Sequence, residues 1–152
     1  MTSRTASDLA EEYKLLVHRW DDFDRRALTI KSWVAAGMLV AVTKLDEMSP
    51  AALLGAIAVS LAAWYLEAVW KAWQHCNGPR LSLLEAHFRG EGEPGAPYQI
   101  HAAWVDRWKS RGWCWPMAEI LRPFVLLPYA PFIVLFAFEF FSRLTFTVLP
   151  PS

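Results

Sequence analysis

Residues 27–73 carry the pattern that decides the fold: ALTIKSWVAAGMLVAVTKLDEMSPAALLGAIAVSLAAWYLEAVWKAW. Ser32 to Thr43 contains no charged residue, and Ala51 to Trp70 contains only Glu67, near its end. A short polar turn, Lys44 to Pro50, separates the two apolar runs. A hydrocarbon core about 30 Å thick needs roughly 20 helical residues. The stretch therefore predicts a transmembrane helical hairpin over residues 27–73.

The composition favours the same placement. Of the 152 residues, 55 % are hydrophobic and nine are tryptophan. Fifteen basic and fifteen acidic residues cancel, so no overall field draws in nucleic acid, and no nucleic-acid partner is expected. Two cysteines do not make a disulfide framework. Residues 1–26 contain no apolar segment typical of a cleavable signal peptide, so the first span is expected to act as its own insertion signal.

Residues 1–26 are predicted to form an amphipathic helix on the cytoplasmic side. Apolar side chains recur at steps of three and four residues, which is typical of one helical face. They are Leu9, Tyr13, Leu16, Val17, Trp20 and Phe23. This stripe could pack on the protein's own cytoplasmic part, self-associate in a bundle, or lie on the membrane surface. The mixed charge of the other faces argues against the membrane surface, which normally requires a basic face.

The distribution of basic residues predicts the orientation. Six lie before or at the edge of the first span, seven follow the second span, and the turn holds Lys44 alone. Cytoplasmic loops carry an excess of lysine and arginine. Both ends of the hairpin, and with them the N terminus, are therefore expected in the cytoplasm.

Residues 74–120 are predicted to form a cytoplasmic or interfacial helical segment. Asn77-Gly78-Pro79 should end the second helix, a short helix should follow over residues 80–88, and the composition of residues 89–97 indicates a loop. Beyond this loop, Ile100, Trp104 and Trp108 share one helical face. Because tryptophan prefers the headgroup region, this helix is interpreted as lying in the cytoplasmic interface, with a buried soluble helix as the alternative.

A third transmembrane helix is predicted over residues 121–143, followed by a short tail, 144–152. Pro128 and Pro131 lack backbone donors and should bend this helix. Glu139 lies one turn before Arg143, its expected partner. A re-entrant segment is the alternative to a full span.

Ionisable residues within predicted spans are functional hypotheses by default. Lys31, Glu67 and Glu139 are the candidate pore-lining or intramembrane polar residues, although groups near span ends are often solvated or paired. The predicted membrane-interface anchors are Trp33, Trp70, Trp73, Trp104 and Trp108, because indole rings favour the headgroup level.

The remaining candidates for chemistry are few. The spacings of His75, Cys76, His87, His101 and Cys114 match no closed zinc pattern, so no metal or cofactor is expected. A cysteine–histidine nucleophile pair would lack a third residue to orient it. We therefore expect no catalytic residues and no enzyme. An enzyme acting on lipids would need one of the histidines at positions 75, 87 or 101.

Small residues on both helices of the hairpin allow close backbone approach to another helix. They are Ala36, Gly37 and Ala41 on the first helix, and Ala51, Ala52, Gly55, Ala56, Ala62 and Ala63 on the second. Such faces could pack within the hairpin or between subunits, and both arrangements could coexist.

The chain from about Asp8 to Arg89 resembles small bacterial membrane proteins of the SLATT type. The resemblance is carried by the entry Arg26-x-x-x-x-Lys31-Ser32-Trp33 and by the exit Trp64-Tyr65-Leu66-Glu67-Ala68, which continues into a cytosolic helix ending near Phe88. The third span and the tryptophan-rich segment depart from the two-span plan of that family. The resemblance implies an effector of a bacterial antiviral defence system that oligomerises in the inner membrane when a partner detects infection.

The sequence as a whole predicts an all-α, multi-pass protein of the bacterial inner membrane. Its leading predicted function is pore formation or membrane perturbation as a homo-oligomer in the lipid bilayer, with a cytosolic sensor protein as the further partner. The alternative is a non-catalytic membrane anchor or scaffold that recruits a cytosolic partner through residues 74–120.

Overall fold

The computed structural model describes residues 3–112 and 115–148, and these residues form helices with no strand among them. The helices are α1 (Ser3–Thr43), α2 (Pro50–His75), α3 (Gly78–Phe88), α4 (Ile100–Arg111), α5 (Trp115–Ile120), α6 (Pro123–Leu126) and α7 (Ala130–Val148). A single 3-10 turn, Leu45–Glu47, lies between α1 and α2. The predicted all-helical class, the polar turn and the loop at residues 89–97 are confirmed.

Helix α1 is continuous, so the helix predicted over residues 1–26 and the first predicted span are one helix rather than two separate elements. It contains 41 residues and is therefore about 60 Å long at 1.5 Å per residue. The change from charged to apolar composition near Arg26 does not interrupt the backbone. The physical reason is that neither glycine nor proline occurs between Ser3 and Ala36, so every residue in that range can continue the hydrogen-bond ladder.

Two helical stretches are long and apolar enough to cross a membrane. They are Thr5–Thr43 and Pro50–Phe88, and their most apolar windows are only 11 % and 22 % buried within the chain. In α1 the long apolar run follows Ala27, after the first half of the helix, in which charged and apolar residues alternate. A hydrophobic core helix of a soluble protein would be covered by its own chain. These two windows are largely uncovered.

The third predicted span is divided rather than bent. Helix α6 ends at Leu126, α7 begins at Ala130, and residues 127–129 form a turn between them. Pro128 and Pro131 have no N–H to donate to the carbonyls four residues earlier, so the helical ladder breaks here. Helix α7 continues to Val148 and therefore includes the first residues of the predicted tail; residues 149–152 lie outside the described range. Among the described residues, α7 is not one of the two candidate spans.

The chain forms two compact units, and the long helices contribute to both. Unit 1 contains the described residues of Met1–Ala27 and Val69–Pro116, and unit 2 those of Leu28–Ala68 and Met117–Ser152. In unit 2, Met38, Leu53 and Phe136 form the buried apolar cluster, which joins α1, α2 and α7. Leu53 and Phe136 are fully buried.

Unit 1 has two apolar clusters. In the first, Leu9 and Leu16 of α1 pack against Leu84 of α3, with Tyr13, Leu81 and Ile100 around them. Much of the apolar stripe predicted on the N-terminal helix thus packs on the protein's own chain. The second cluster contains Ala72, Cys76 and Trp115, with Trp104 and Trp108 packed against it.

A buried ion pair ties the loop after α3 to α1. Arg80 Nε and Nη2 donate to Glu12 Oε1 and Oε2 at 2.8 and 2.7 Å, and the two side chains are 4 % and 0 % exposed. The same guanidinium donates to the carbonyls of Pro94 and Ala96 at 2.5 and 2.9 Å. Glu12 also accepts the amide of Tyr98 at 2.9 Å. Each charge is paired and hydrogen-bonded, as burial requires.

The environment of Glu12 makes this pair sensitive to acid. Burial acts to raise the pKa of the Glu12 carboxyl, but hydrogen bonds from Arg80 and Tyr98, together with the charge of Arg80, outweigh it and hold the pKa below the ordinary value. A carboxyl whose pKa is lowered on folding stabilises the fold above its unfolded pKa. That contribution is lost as the pH falls through the lower, folded pKa.

Replacing Arg80 with methionine should destabilise the protein by about 3–5 kcal/mol, because it leaves the Glu12 carboxylate buried without its partner. The matched control is Arg89→Met, which removes an arginine from an ion pair with Glu91 whose members are 58 % and 60 % exposed. Exposed pairs of that kind contribute about 0–1 kcal/mol. Thermal unfolding of the detergent-solubilised protein measures both variants. Equal midpoints for the two would contradict the role assigned to Arg80.

Acidification should lower the free energy of unfolding once the pH drops below about 4.5, the ordinary glutamate pKa. The reason is that protonation of Glu12 is favoured in the unfolded chain before it is favoured in the folded one. Glu12→Gln removes the titrating group and should flatten the pH dependence in this range, although it lowers stability at neutral pH. Denaturant titrations between pH 6 and 3 would measure the slopes. Parallel slopes for the two proteins would exclude Glu12 as the source.

Candidate functional site

Lys31 of α1 and Glu67 of α2 form an ion pair in unit 2. Lys31 Nζ lies 2.6 Å from Glu67 Oε1, and the two side chains are 17 % and 5 % exposed. Both residues were predicted separately as candidate intramembrane polar groups. The structure brings them together across two helices, a relation that their positions 36 residues apart in the chain do not reveal.

The proline break supplies a second partner for Lys31. Its ammonium donates to the carbonyl oxygen of Phe124 at 2.7 Å. In an uninterrupted helix this carbonyl would accept the N–H of residue 128, but residue 128 is proline and has none. The interruption between α6 and α7 thus leaves an acceptor that a charged donor satisfies. Lys31 consequently links α1 to both α2 and α6.

Tyr129, in the turn after α6, completes the polar cluster. Its side chain is 1 % exposed, and its phenol interacts with the Glu67 carboxylate. A phenol is a neutral group that can donate to a buried carboxylate without adding a charge. Sequence reasoning did not identify Tyr129 or the Phe124 carbonyl. The sequence does contain one signal: Pro128 lies four residues after Phe124, so the Phe124 carbonyl lacks its usual helical donor. That spacing does not identify the group that binds the carbonyl instead.

This cluster, defined by Lys31, Glu67, Tyr129 and the Phe124 carbonyl, is electrically balanced. One ammonium faces one carboxylate, the Phe124 carbonyl accepts from the same ammonium, and the buried phenol lies beside them. Electrostatic attraction is strong where water is excluded, yet each isolated charge would be costly there. The arrangement can therefore hold α1, α2 and the α6–α7 turn together, and any movement that separates Lys31 from Glu67 exposes two unpaired charges.

Glu139, the third predicted polar residue, lies in a different cluster. Arg143 Nε donates to Glu139 Oε1 at 2.7 Å, as expected from the sequence. The guanidinium also donates to the carbonyl of Leu45 at 2.7 Å and to that of Met48. Arg143 therefore holds the turn between α1 and α2 against α7, with Glu139 as its counter-ion.

The five predicted anchor tryptophans differ in their surroundings. Trp33 is 76 % exposed and Trp73 is 38 % exposed, whereas Trp70 packs against Phe23 with ring centroids 5.0 Å apart. Trp104 and Trp108 stack on each other at 5.9 Å and 9°, and both pack against the cluster of Ala72 and Cys76. Trp104 also donates its indole N–H to the carbonyl of Trp73 at 3.1 Å. Helix α4 thus contacts its own unit but contains no buried residue, and both its predicted position at the membrane interface and the alternative of a buried soluble helix stay predictions.

His75, Cys76, His87 and His101 are the candidates for metal binding and nucleophilic chemistry that the structure describes. Among the described residues, no group of three or more His, Cys, Asp or Glu side chains could hold a metal ion. Burial raises the pKa of the Cys76 thiol to about 11, although the charge of Arg107 opposes the shift. A thiol with that pKa stays protonated at neutral pH, the opposite of what a nucleophile needs. Cys114 lies outside the described residues.

Comparisons with family models, with curated proteins and with solved structures find no match to this chain. The resemblance to SLATT-type proteins and the functions it implies therefore stay predictions.

Replacing Lys31 with methionine should destabilise unit 2 by about 3–5 kcal/mol, since it leaves the Glu67 carboxylate buried without a counter-ion. The double variant Lys31→Met/Glu67→Leu removes both charges and should recover most of this loss. Thermal midpoints of wild type, both single variants and the double variant complete the cycle. Additive losses in the double variant would show that the two side chains do not depend on each other.

Proposed function

We propose that the chain is an integral membrane protein with a non-catalytic role. The observation that carries this proposal is the low burial, 11 % and 22 %, of the two apolar helical windows. Apolar surface of this extent needs a cover other than water, and a bilayer provides it for helices of this length. The excess of basic residues before α1's apolar part and after α2 favours a cytoplasmic N terminus. In this arrangement α6 and α7 add a third, divided segment beside the hairpin, as the predicted third span.

Within the membrane, the protein acts as a homo-oligomer that perturbs the bilayer or forms a pore, in the role of a defence effector. Gly37 and Gly55 support self-association, because a Cβ placed on either would meet nothing within 4 Å in the chain. Close backbone approach at such residues is how transmembrane helices associate. The bacterial inner membrane and a cytosolic sensor that triggers assembly belong to the same proposal.

A pore requires more than one copy of the chain. The Lys31–Glu67 pair is buried inside a single chain, so its charges face no open path in the arrangement described. Conduction would need a ring of subunits, or a rearrangement that separates the pair and turns Glu67 toward water. The buried pair is then the feature that keeps the resting protein closed.

An anchor or scaffold is the second candidate, and the buried Arg80–Glu12 pair favours it. Four hydrogen bonds from Arg80, two of them to the carbonyls of Pro94 and Ala96, hold the segment after α3 in one conformation. A loop that is fixed in this way suits recognition by a cytosolic partner, since little ordering entropy remains to be lost on binding. The recruiting region would lie within residues 74–120.

The test of the leading proposal combines membrane extraction, oligomeric mass and liposome leakage. The protein should resist alkaline extraction from membranes, run in detergent as a defined multiple of 17.3 kDa, and release dye from liposomes. Gly55→Leu should reduce both the oligomeric mass and the leakage. The physical reason is that a leucine side chain meets open space within the chain but blocks close approach of a second copy.

Ser49→Ala is a suitable control for the effect of Gly55→Leu. It alters the start of α2 at a hydroxyl that accepts the Ala52 amide, without adding bulk to the small-residue face. A stable monomer in sealed liposomes would overturn the oligomeric pore and leave the scaffold as the function to pursue. Complete release by alkaline extraction would overturn the membrane proposal itself.

A further inference from the structure

A cleft of about 220 Å³ lies in unit 1, beside the part of α1 that comes just before the apolar half of that helix. Arg19, Asp22, Phe23 and Arg26 of α1 line it together with Trp70 of α2. The four α1 residues are spaced three, one and three apart and therefore lie on one side of the helix. None of the functions discussed above uses this cleft.

Two of the residues that line the cleft are aromatic. The ring centroids of Phe23 and Trp70 are 5.0 Å apart at an angle of 58°. The indole N–H of Trp70 donates to the carbonyl of Phe23 at 3.4 Å, so the polar group of the ring has a partner within the chain. Tryptophan with a satisfied N–H beside an apolar face is well suited to the boundary between headgroups and hydrocarbon.

Two arginines in the lining have no carboxylate partner. In the described part of the chain, neither Arg19 nor Arg26 forms an ion pair within 4 Å, whereas Arg80, Arg89, Arg122 and Arg143 each have one. Asp22, between them, lies 3.7 Å from His18. The lining thus carries two guanidinium groups and one carboxylate, a net charge of +1. Guanidinium groups bind phosphate oxygens through paired N–H donors.

The position of the cleft along α1 selects the source of the phosphate. Arg26 lies two residues before Leu28, where the apolar half starts, and Arg19 lies about 13 Å from Leu28 along the helix axis. The headgroup region on each side of a bilayer is about 5–8 Å thick. Flexible arginine side chains extend this reach toward the phosphate level. A membrane-inserted α1 would therefore place both guanidinium groups at or just above the lipid phosphates.

We propose that this cleft binds the headgroup of an anionic phospholipid, specifically a phosphodiester that carries a glycerol hydroxyl, as in phosphatidylglycerol. This inference rests on the membrane insertion proposed above. Arg19 and Arg26 bind the phosphate, Asp22 accepts a hydrogen bond from the glycerol hydroxyl, and Phe23 and Trp70 pack against the first carbons of the lipid. Attraction to anionic lipid by basic residues next to a span is a recognised source of lipid selectivity.

The experiment measures lipid retention by native mass spectrometry on full-length protein, with phosphatidylglycerol and phosphatidylcholine of identical acyl chains. Wild type should retain phosphatidylglycerol in preference. Arg19→Gln/Arg26→Gln should lower the binding constant for phosphatidylglycerol about 30-fold, from about fivefold per arginine, and leave phosphatidylcholine unaffected. The matched control is Lys14→Gln, which removes one charge from the same helix about 20 Å from Leu28. It should change retention less than twofold, since it lies beyond the Debye length.

A second variant tests the hydroxyl contact. Asp22→Asn should narrow the preference for phosphatidylglycerol over phosphatidic acid, because only the former offers a glycerol hydroxyl to the carboxylate. Soluble glycerol phosphate distinguishes the two sources of the phosphate. If it displaces the lipid at equal concentration, the cleft recognises a free phosphate ester and the lipid assignment is overturned.

The outcomes separate this proposal from the proposed function. Protein that resists alkaline extraction but retains both lipids equally, before and after substitution of the two arginines, would overturn the headgroup site alone. Protein that is released from membranes by alkaline extraction would overturn membrane insertion, and the lipid site with it. Selective retention that depends on Arg19 and Arg26 supports both.

Discussion

Unit 2 depends on the interaction of the Lys31 ammonium with two acceptors, the Glu67 carboxylate and the Phe124 carbonyl. A lysine and a glutamate with exposures of 17 % and 5 % would each be unfavourable alone in apolar surroundings. They tolerate burial because the ammonium also reaches the Phe124 carbonyl, which Pro128 leaves without a helical donor. Proline, usually a source of lost hydrogen bonds, here creates the acceptor that completes a charged cluster.

The same principle organises unit 1 and the turn between α1 and α2. Arg80 pairs with Glu12 and uses its remaining N–H groups on the carbonyls of Pro94 and Ala96. Arg143 pairs with Glu139 and also donates to two carbonyls of the turn. In each case a cation binds one carboxylate and also donates to backbone carbonyls of a loop or turn. Irregular backbone is thereby kept without leaving carbonyls unsatisfied, as a low-dielectric environment demands.

These contacts bear directly on how the protein could act in a membrane. A carboxylate that is already neutralised inside one chain is a poor pore lining until its partner moves. A bilayer-perturbing role would therefore couple assembly to the opening of the Lys31–Glu67 pair. A scaffold needs no such opening, because its recognition surface would lie in unit 1. The cleft at Arg19 and Arg26 fits either role, since both require α1 to sit at a defined depth in the lipid.

The amino-acid sequence by itself determined the features that depend on neighbouring residues. Uninterrupted apolar runs predict the two long helices, the cluster of Gly and Pro predicts the loop at residues 89–97, and a spacing of four predicts the Glu139–Arg143 pair. The sequence-based division of the chain at residue 26 was wrong, because a change in composition was interpreted as the end of a helix. Helix α1 passes through Arg26 without a break, since helix formation responds to glycine and proline rather than to polarity.

Only the tertiary structure decided which distant groups meet. Glu12 and Arg80 are 68 residues apart, and Lys31 reaches a carbonyl 93 residues away. Such pairings depend on how each helix is rotated about its axis and where the proline break falls, and a linear pattern of charges contains neither quantity. The identity of the partners therefore follows from packing, whereas the presence of the helices follows from local sequence.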